Sequence, residues 1–393
     1  MQNILFDDPR DWKNLLPLTY TRSVSDIRIG ITTIREKWQH FLGKSPSVFT
    51  VSYLQPKYPL DRGYSQSLYF NGSIIPNSDL INAIFNLSFN QKLVKNNIVI
   101  AAYAEHDDAK TPEELDEFFK KISPVEFKGE FMKINHPWDI FKYNGDCIKS
   151  DFDLIARGKP TQQLSDTNLI IGQHRVYVEP GVVAEACVFN TSAGPIYLGK
   201  NSEVMEGTLI RGPFVLGEGA VLKMGAKIYG PTTIGPYCKV GGEVNNSVFF
   251  GYSNKAHDGF IGNSVIGEWC NLGADSNNSN LKNNYGNVKV YNFGSESEVD
   301  TGLQFCGLIM ADHAKCGINT MFNTGTVVGV GANVFDGGFP PKMVKSFAWG
   351  GKQGFEKYEL GKFLDTVEQV MRRRNLDLDA EEREILTHIH QKA

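Results

Sequence analysis

Between Leu198 and Val240 an aliphatic residue stands at every sixth position: Leu198, Val204, Ile210, Leu216, Leu222, Ile228, Ile234 and Val240, without a miss. A period of six suits neither an α-helix nor a plain alternating strand. It suits a parallel β-helix of hexapeptide repeats, in which each hexad is one flat side of a triangular coil and the aliphatic residue fills the inside. Three hexads then make one coil. Upstream, Val176, Val182 and Val188 keep the spacing. Downstream the phase slips and resumes at Val248, Phe260, Ile266 and Leu272, with Asn254 as the exception. After an interruption it resumes again at Met310, Cys316, Phe322, Val328 and Val334. Glycines beside the inward residue, as in Leu216-Gly217 and Ile234-Gly235, give the backbone freedom that tight corners need. The spacing predicts a solenoid from about 170 to about 344, inside a domain spanning 170–350.

The flanks lack this period. Residues 1–150 alternate strand-like runs at 4–6, 47–51 and 97–102 with helical runs at 79–87 and 112–121. That alternation predicts an α/β domain with a largely parallel sheet. Residues 151–169 read as a linker, broken by Gly158-Lys159-Pro160. Residues 351–393 read as C-terminal helices. Leu360, Phe363, Val367 and Val370 share one face, and Asp379 with Glu382 forms a capping-box pattern opening a helix over 380–390.

Composition excludes several classes. The net charge is −4 and no basic stripe with interleaved aromatics occurs, so nucleic acid is not an expected partner. No apolar stretch approaches the ~20 residues of a membrane-spanning helix, so no membrane association is expected. The opening Met1-Gln2-Asn3 runs straight into strand-like Ile4-Leu5-Phe6, without a signal-peptide pattern. The cysteines at 147, 187, 238, 270, 306 and 316 form no CxxC pair, and several occupy small or inward hexad slots. Reduced packing cysteines in a cytoplasmic protein are expected.

The segment HDGFIGNSVIGEWCNLGA, from His257 to Ala274, is the most informative local stretch. An Asn-rich run, Ser276-Asn277-Asn278-Ser279-Asn280-Leu281-Lys282-Asn283-Asn284-Tyr285-Gly286, breaks the hexads directly after it. Long insertions in a solenoid form outside loops and often carry function. His257, Asn271 and Asn280 suit a sugar phosphate. An Asn also suits a turn or left-handed corner, and a lone histidine suits a packed structural role. Both readings stand at this stage.

The same segment resembles the acyltransferase signature of the bacterial bifunctional enzymes that make UDP-N-acetylglucosamine. The whole chain is most similar to their Bacteroidetes-type form, the bifunctional UDP-N-acetylglucosamine diphosphorylase/glucosamine-1-phosphate N-acetyltransferase family. Further residues carry the resemblance: Thr21-Arg22, Arg28, Gly30, Thr33 and Glu36-Lys37-Trp38, then Trp138-Asp139-Ile140-Phe141 with Asp151-Phe152, and Gly251-Tyr252-Ser253-Asn254-Lys255. The resemblance implies a shortened nucleotidyltransferase-like α/β domain, a left-handed parallel β-helix and a C-terminal helix. That hand departs from the usual right-handed crossover.

It also implies acetyl transfer from acetyl-CoA to an amino-sugar phosphate, with His257 as the base. Asn271 would contact the amino sugar, and the backbone around Ala274 the acetyl thioester. The Asn-Tyr pair of the family falls either on Asn280, followed here by Leu281, or on Asn284-Tyr285. Phe260 stands where the family has Tyr, and Asn245-Asn246 where it has paired lysines, so Lys255 or Lys223 would have to meet a phosphate.

In the first domain, the family's glycine-rich loop survives only as Thr21-Arg22, with Leu18-Thr19-Tyr20 in place of its glycines. Arg22, Arg28 and Lys37 would serve the nucleotide. Ser73 replaces the metal-binding Asp, leaving Asp107, Asp108, Asp139, Asn144 and Asp151 as candidates to hold Mg²⁺ for nucleotidyl transfer. The implied partners are a sugar 1-phosphate, UTP or dTTP, and acetyl-CoA, in a homotrimer with acetyl-CoA between adjacent solenoids. Two alternatives stay open: an acyltransferase alone with a degenerate first domain, and a non-catalytic trimeric scaffold or sugar-binding protein.

Overall fold

The computed structural model describes residues 1–60, 63–105 and 109–393. The chain divides into two compact units. The first comprises Met1–Ile27, Thr32–His136 and Asp379–His388; the second comprises Arg28–Ile31, Pro137–Leu378 and Ile389–Ala393.

The first unit is built on a six-stranded sheet in the order Ser47–Phe49, Gln2–Phe6, Gln66–Asn71, Ile98–Glu105, Gln91–Lys95, Ser123–Glu126. Its first three strands are parallel. The sheet is nevertheless mixed rather than largely parallel, because Gln91–Lys95 and Ile98–Glu105 form an antiparallel hairpin. The cause is local. Asn96 and Asn97 adopt φ of 51° and 62°, the left-handed pair that a two-residue hairpin requires. Helix Pro112–Lys120 packs Leu115 and Phe119 onto Ile4, Phe6 and Tyr69. Helix Ile34–Leu42 opens with a capping box between Thr33 and Glu36 and buries Trp38, whose indole N–H donates to the Ile74 carbonyl at 3.0 Å.

The second unit is a left-handed parallel β-helix of about 10 turns. Each side of the coil stacks into its own parallel sheet. Leu198 pairs with Leu216 and Leu216 with Ile234 on one side, Val204 with Leu222 and Leu222 with Val240 on the next, and Ile210 with Ile228 on the third. All eight residues of the unbroken run are at most 2% exposed. Burial of each such side chain contributes roughly 1.5–3 kcal/mol, so the run is a continuous stabilising column.

The phase differs from the sequence expectation at both ends of that run. Upstream, Val178, Ala184 and Phe189 take the inward positions, in register with Leu198, Val204 and Ile210. Downstream, Ile234 pairs with Phe249 and Val240 with Lys255, so this coil is 15 residues long rather than 18. The inward residues are therefore Phe249, Lys255 and Ile261, not Val248, Asn254 and Phe260. Gly241-Gly242 turns the shortened corner, with Gly242 at φ 69°. From Ile266 and Leu272 through Met310, Cys316, Phe322, Val328 and Val334 the expected residues fill the core.

The Asn-rich break does not leave the coil at once. Asn277–Asn278 still pairs in parallel with Met321–Phe322. The chain then carries an antiparallel hairpin, Lys289–Asn292 with Ser297–Asp300, and rejoins the solenoid at Ile309–Met310.

Helix Pro137–Ile155 covers one side of the solenoid, packing Ile148 and Phe152 with Tyr177, Tyr197 and Val215. Helix Leu360–Arg372 seats Phe363 against Phe347, Tyr358 and His313, with ring centroids 5.0, 5.7 and 6.1 Å away. The last helix, Ala380–Lys392, begins where Asp379 accepts from the Glu382 N–H at 2.7 Å. All six cysteines are reduced and buried. Among the described residues no helix is long and apolar enough to cross a membrane.

Candidate functional site

In the first unit the chain leaves the central strand Gln2–Phe6 toward Ser47–Phe49 and returns on its other side as Gln66–Asn71. The carboxyl ends of these strands frame the crevice where open α/β sheets bind ligands. Asp7, Thr50, Asn71 and Ser73 stand there. Asp7 accepts from Ser23 Oγ at 2.8 Å, Thr50 Oγ1 at 2.6 Å and the Val24 N–H at 3.0 Å. Burial pushes its carboxyl up to about 7 against the pull of those donors.

Ser73, in the slot of the expected metal-binding Asp, donates to Asp11 Oδ2 at 2.8 Å, and Asp11 is paired with Lys133. Burial raises the Asp11 carboxyl and Lys133 opposes that rise. Asp7, Asp11 and Lys133 were not picked out from the sequence. Their place at the strand ends was the available signal. These carboxylates are already occupied by donors, and among the described residues no group of three or more His, Cys, Asp or Glu could hold a metal ion. Among the described residues, Asp7 and Asp11 do not fit a resident Mg²⁺.

Two of the other Mg²⁺ candidates, Asn144 and Asp151, have structural partners within the second unit. Asn144 Oδ1 accepts from the Gly30 N–H at 2.8 Å and from Thr233 Oγ1 at 3.1 Å, and Asp151 Oδ2 accepts from the Ile31 N–H at 2.8 Å. Asp139 is also on helix Pro137–Ile155. Asp107 and Asp108 lie outside the described residues. Of the nucleotide-binding candidates, Arg22 is buried in the first unit and donates to the Leu18 carbonyl at 3.4 Å. Lys37, also in the first unit, donates to Thr32 Oγ1 at 3.2 Å. Arg28 belongs to the second unit, where its Nε donates to the Phe250 carbonyl at 2.9 Å.

In the solenoid, His257 is exposed on the corner that follows strand Asn254–Lys255. The corner of the next coil is stacked on it, Asp275 N–H donating to the Asp258 carbonyl at 3.0 Å. Ala274 lies in that second corner, and its carbonyl accepts from the Asn319 N–H at 2.8 Å. Asn271 is exposed on the outer face, in register with Asn254 and Lys315. The structure thus places His257 on one coil and Asn271 and Ala274 together on the next. The Asn-rich candidates go elsewhere. Asn280 donates to Asn263 Oδ1 at 2.8 Å, and Asn284 and Tyr285 are exposed on the loop, where Asn284 Oδ1 accepts from the Gly286 N–H at 3.1 Å. Asn277 and Asn278 serve the backbone, accepting from the Phe260 and Gly262 N–H groups at 2.8 and 2.9 Å.

Lys255 points into the solenoid. It is 1% exposed, and its ammonium donates to the His257 carbonyl at 2.6 Å. Gly242 leaves room for it, since a Cβ there would lie 2.9 Å from Nζ. Burial lowers the Lys255 ammonium to about 8. The unfolded chain therefore holds more protons than the folded one between about pH 8 and 10.5, and stability from this group rises with pH through that window. Lys255→Met, of similar length and uncharged, should raise the unfolding midpoint at pH 7, and that advantage should shrink by pH 10. A gap of equal size at both pH values rules this account out.

Next to His257, Ala256 borders a cleft of about 470 Å³ on the outer face of the same sheet. Lys239 and Lys315 rise from the strands, and Arg373 and Arg374 come from the end of helix Leu360–Arg372. Arg374 donates to Asn254 Oδ1 at 3.1 Å. Burial lowers both lysines, and Arg374, Lys223 and Arg373 lower Lys239 further. Tyr252 and Trp269 line the cleft as the middle of an aromatic ladder of Tyr237, Tyr252, Trp269 and His313, stacked at 5.1, 4.2 and 6.3 Å on left-handed corners with φ of 54–61°. None of these cations was singled out from the sequence. Lys239 and Lys315 do share the outward slot just before an inward residue, which was a legible signal.

Residues 3–160 match the family model described as sugar nucleotidyl transferase. The chain matches no curated protein. Among solved structures, the polySia-specific acetyltransferase NeuO is 13% identical, with a TM-score of 0.27, covering 49% of this chain and 87% of its own. The Arabidopsis UDP-N-acetylglucosamine acyltransferase is 17% identical, with a TM-score of 0.23, covering 58% of this chain and 90% of its own. A hexapeptide transferase family protein from Anaplasma phagocytophilum is 16% identical, with a TM-score of 0.18, covering 58% and 87%.

Proposed function

We propose that the chain is a sugar-phosphate nucleotidyltransferase and amino-sugar-phosphate acetyltransferase of UDP-N-acetylglucosamine-type nucleotide-sugar synthesis, one activity in each unit. The observation that carries the acetyl half is the imidazole of His257, exposed at a corner beside the outward Asn254–Asn271 column. An amine attacks a thioester only when unprotonated, and the imidazole nitrogen of a neutral histidine can take the ammonium proton. The amine nitrogen then bonds the acetyl carbon, the carbon–sulfur bond breaks, the proton held by His257 goes to the departing CoA thiolate, and the proton that the acylated nitrogen must shed passes through the freed imidazole to solvent. Asn271 orients the amino sugar, and the corner at Ala274 receives the acetyl group. The 3–160 match supports the nucleotidyl half.

A second reading, acetyl transfer alone, is favoured by Asp7 and Asp11, whose carboxylates at the strand ends are already taken by protein donors. Two assays on the full chain decide between them. Acetyl-CoA with glucosamine 1-phosphate should release free thiol; silence with every amino-sugar phosphate defeats the acetyl assignment. UTP or dTTP with a sugar 1-phosphate and Mg²⁺ in the buffer should release pyrophosphate, and its absence with every nucleotide leaves the second reading.

A further inference from the structure

We infer that the cleft between helix Leu360–Arg372 and the solenoid face is a binding site for a phosphate ester carrying at least two negative charges, held by Lys239, Lys315, Arg373 and Arg374. Among the described residues none of the four makes an ion pair, although Arg372 beside them contacts Glu368 and Asp377. A helix C-terminus favours positive charge, which accounts for arginines at 373 and 374. It does not account for Lys239 and Lys315 on separate strands of the facing sheet. Four like charges converge on one cavity, and in partial burial their repulsion is weakly screened. An anion of matching charge removes that repulsion and accepts charge-assisted hydrogen bonds, two of them from guanidinium forks suited to phosphate.

The walls narrow the ligand class further. Tyr252 and Trp269 stack face to face at 4.2 Å, with planes 10° apart. Their shared faces are closed, so the ladder offers the cleft ring edges and a base is not held by intercalation there. Asn271 lines the cleft, and its side chain makes no hydrogen bond among the described residues. It is positioned to bond a hydroxyl or amide adjoining the phosphate. The site therefore reads charge first and a polar neighbour second.

The test is direct binding to the full-length protein by calorimetry. Pyrophosphate is the primary probe; glucosamine 1-phosphate and coenzyme A, whose choice rests on the function proposed above, distinguish an acceptor phosphate from a donor phosphate. Wild type should bind pyrophosphate, more weakly as salt rises. The Arg373→Ala/Arg374→Ala double variant should bind it about tenfold or more weakly, since hydrogen bonds to charged groups are the strong ones. Lys315→Met should weaken it independently, from the other wall. The organic phosphate that competes with pyrophosphate identifies the source.

The assignment is overturned if wild type binds none of the three, or if the double variant binds them as wild type does. Its fate is separable from that of the transfer reaction. Phosphate binding lost in the arginine variant, without thiol release from wild type, leaves the cleft standing and removes the acetyltransferase reading.

Discussion

Replacing His257 by alanine should lower the rate of acetyl transfer by about a hundredfold to ten-thousandfold, the range in which general base catalysis contributes. The side chain is exposed, so its removal leaves no cavity and the solenoid should unfold at the wild-type midpoint. A base acts on the proton and not on substrate affinity, so the loss should fall on kcat and leave KM nearly unchanged. His257→Gln keeps the size and polarity of the side chain without its basicity and should be equally impaired. Added imidazole should restore part of the activity of the alanine variant at pH values where it is neutral. Activity within threefold of wild type in both variants would remove His257 from the chemistry.

The solenoid was legible because each inward slot admits little but an aliphatic side chain, and eight such slots repeat without variation from Leu198 to Val240. The phase was lost where that rule was relaxed. Gly241-Gly242 shortened a corner, and the next inward slot on that side went to Lys255, a residue that burial disfavours. A count of six restarted at Val248 then landed on Asn254 and Phe260, which lie on the outer face. The break after Ala274 was visible as a break. Its purpose was not, because Asn277 and Asn278 serve the backbone of the coil below them. In the first unit, the hairpin that makes the sheet mixed depends on two left-handed asparagines, Asn96 and Asn97, a signal present in the sequence but short. The cationic cleft was hidden for a different reason. Its members come from two strands and a helix end far apart along the chain, and only the stacking of coils brings Lys239 and Lys315 to one face. Periodicity reports what faces inward. What assembles outside depends on register, which the shortened coil obscured.

That register has a direct energetic consequence. Phe249→Ala should destabilise the solenoid by about 3–5 kcal/mol, the cost of truncating a fully buried aromatic side chain. Phe249 is 0% exposed and packs in the core that runs the length of the coil stack. Parallel coils cannot close on the void without shifting the neighbours above and below, Ile234 and Ile266, whose backbone pairings fix them. The cost should therefore sit near the upper end of that range. Phe260→Ala provides the comparison. Phe260 would be the inward residue if the six-residue phase counted from Val248 held, but Ile261 takes that position and Phe260 lies half-buried on the outer face. Its truncation should cost about 1 kcal/mol or less. Urea unfolding of the two variants, followed by the β-sheet signal in far-ultraviolet dichroism, separates the alternatives. Equal costs, or a larger cost at Phe260, would show that the coil after Val240 follows the six-residue phase counted from Val248 and that Lys255 does not face the interior.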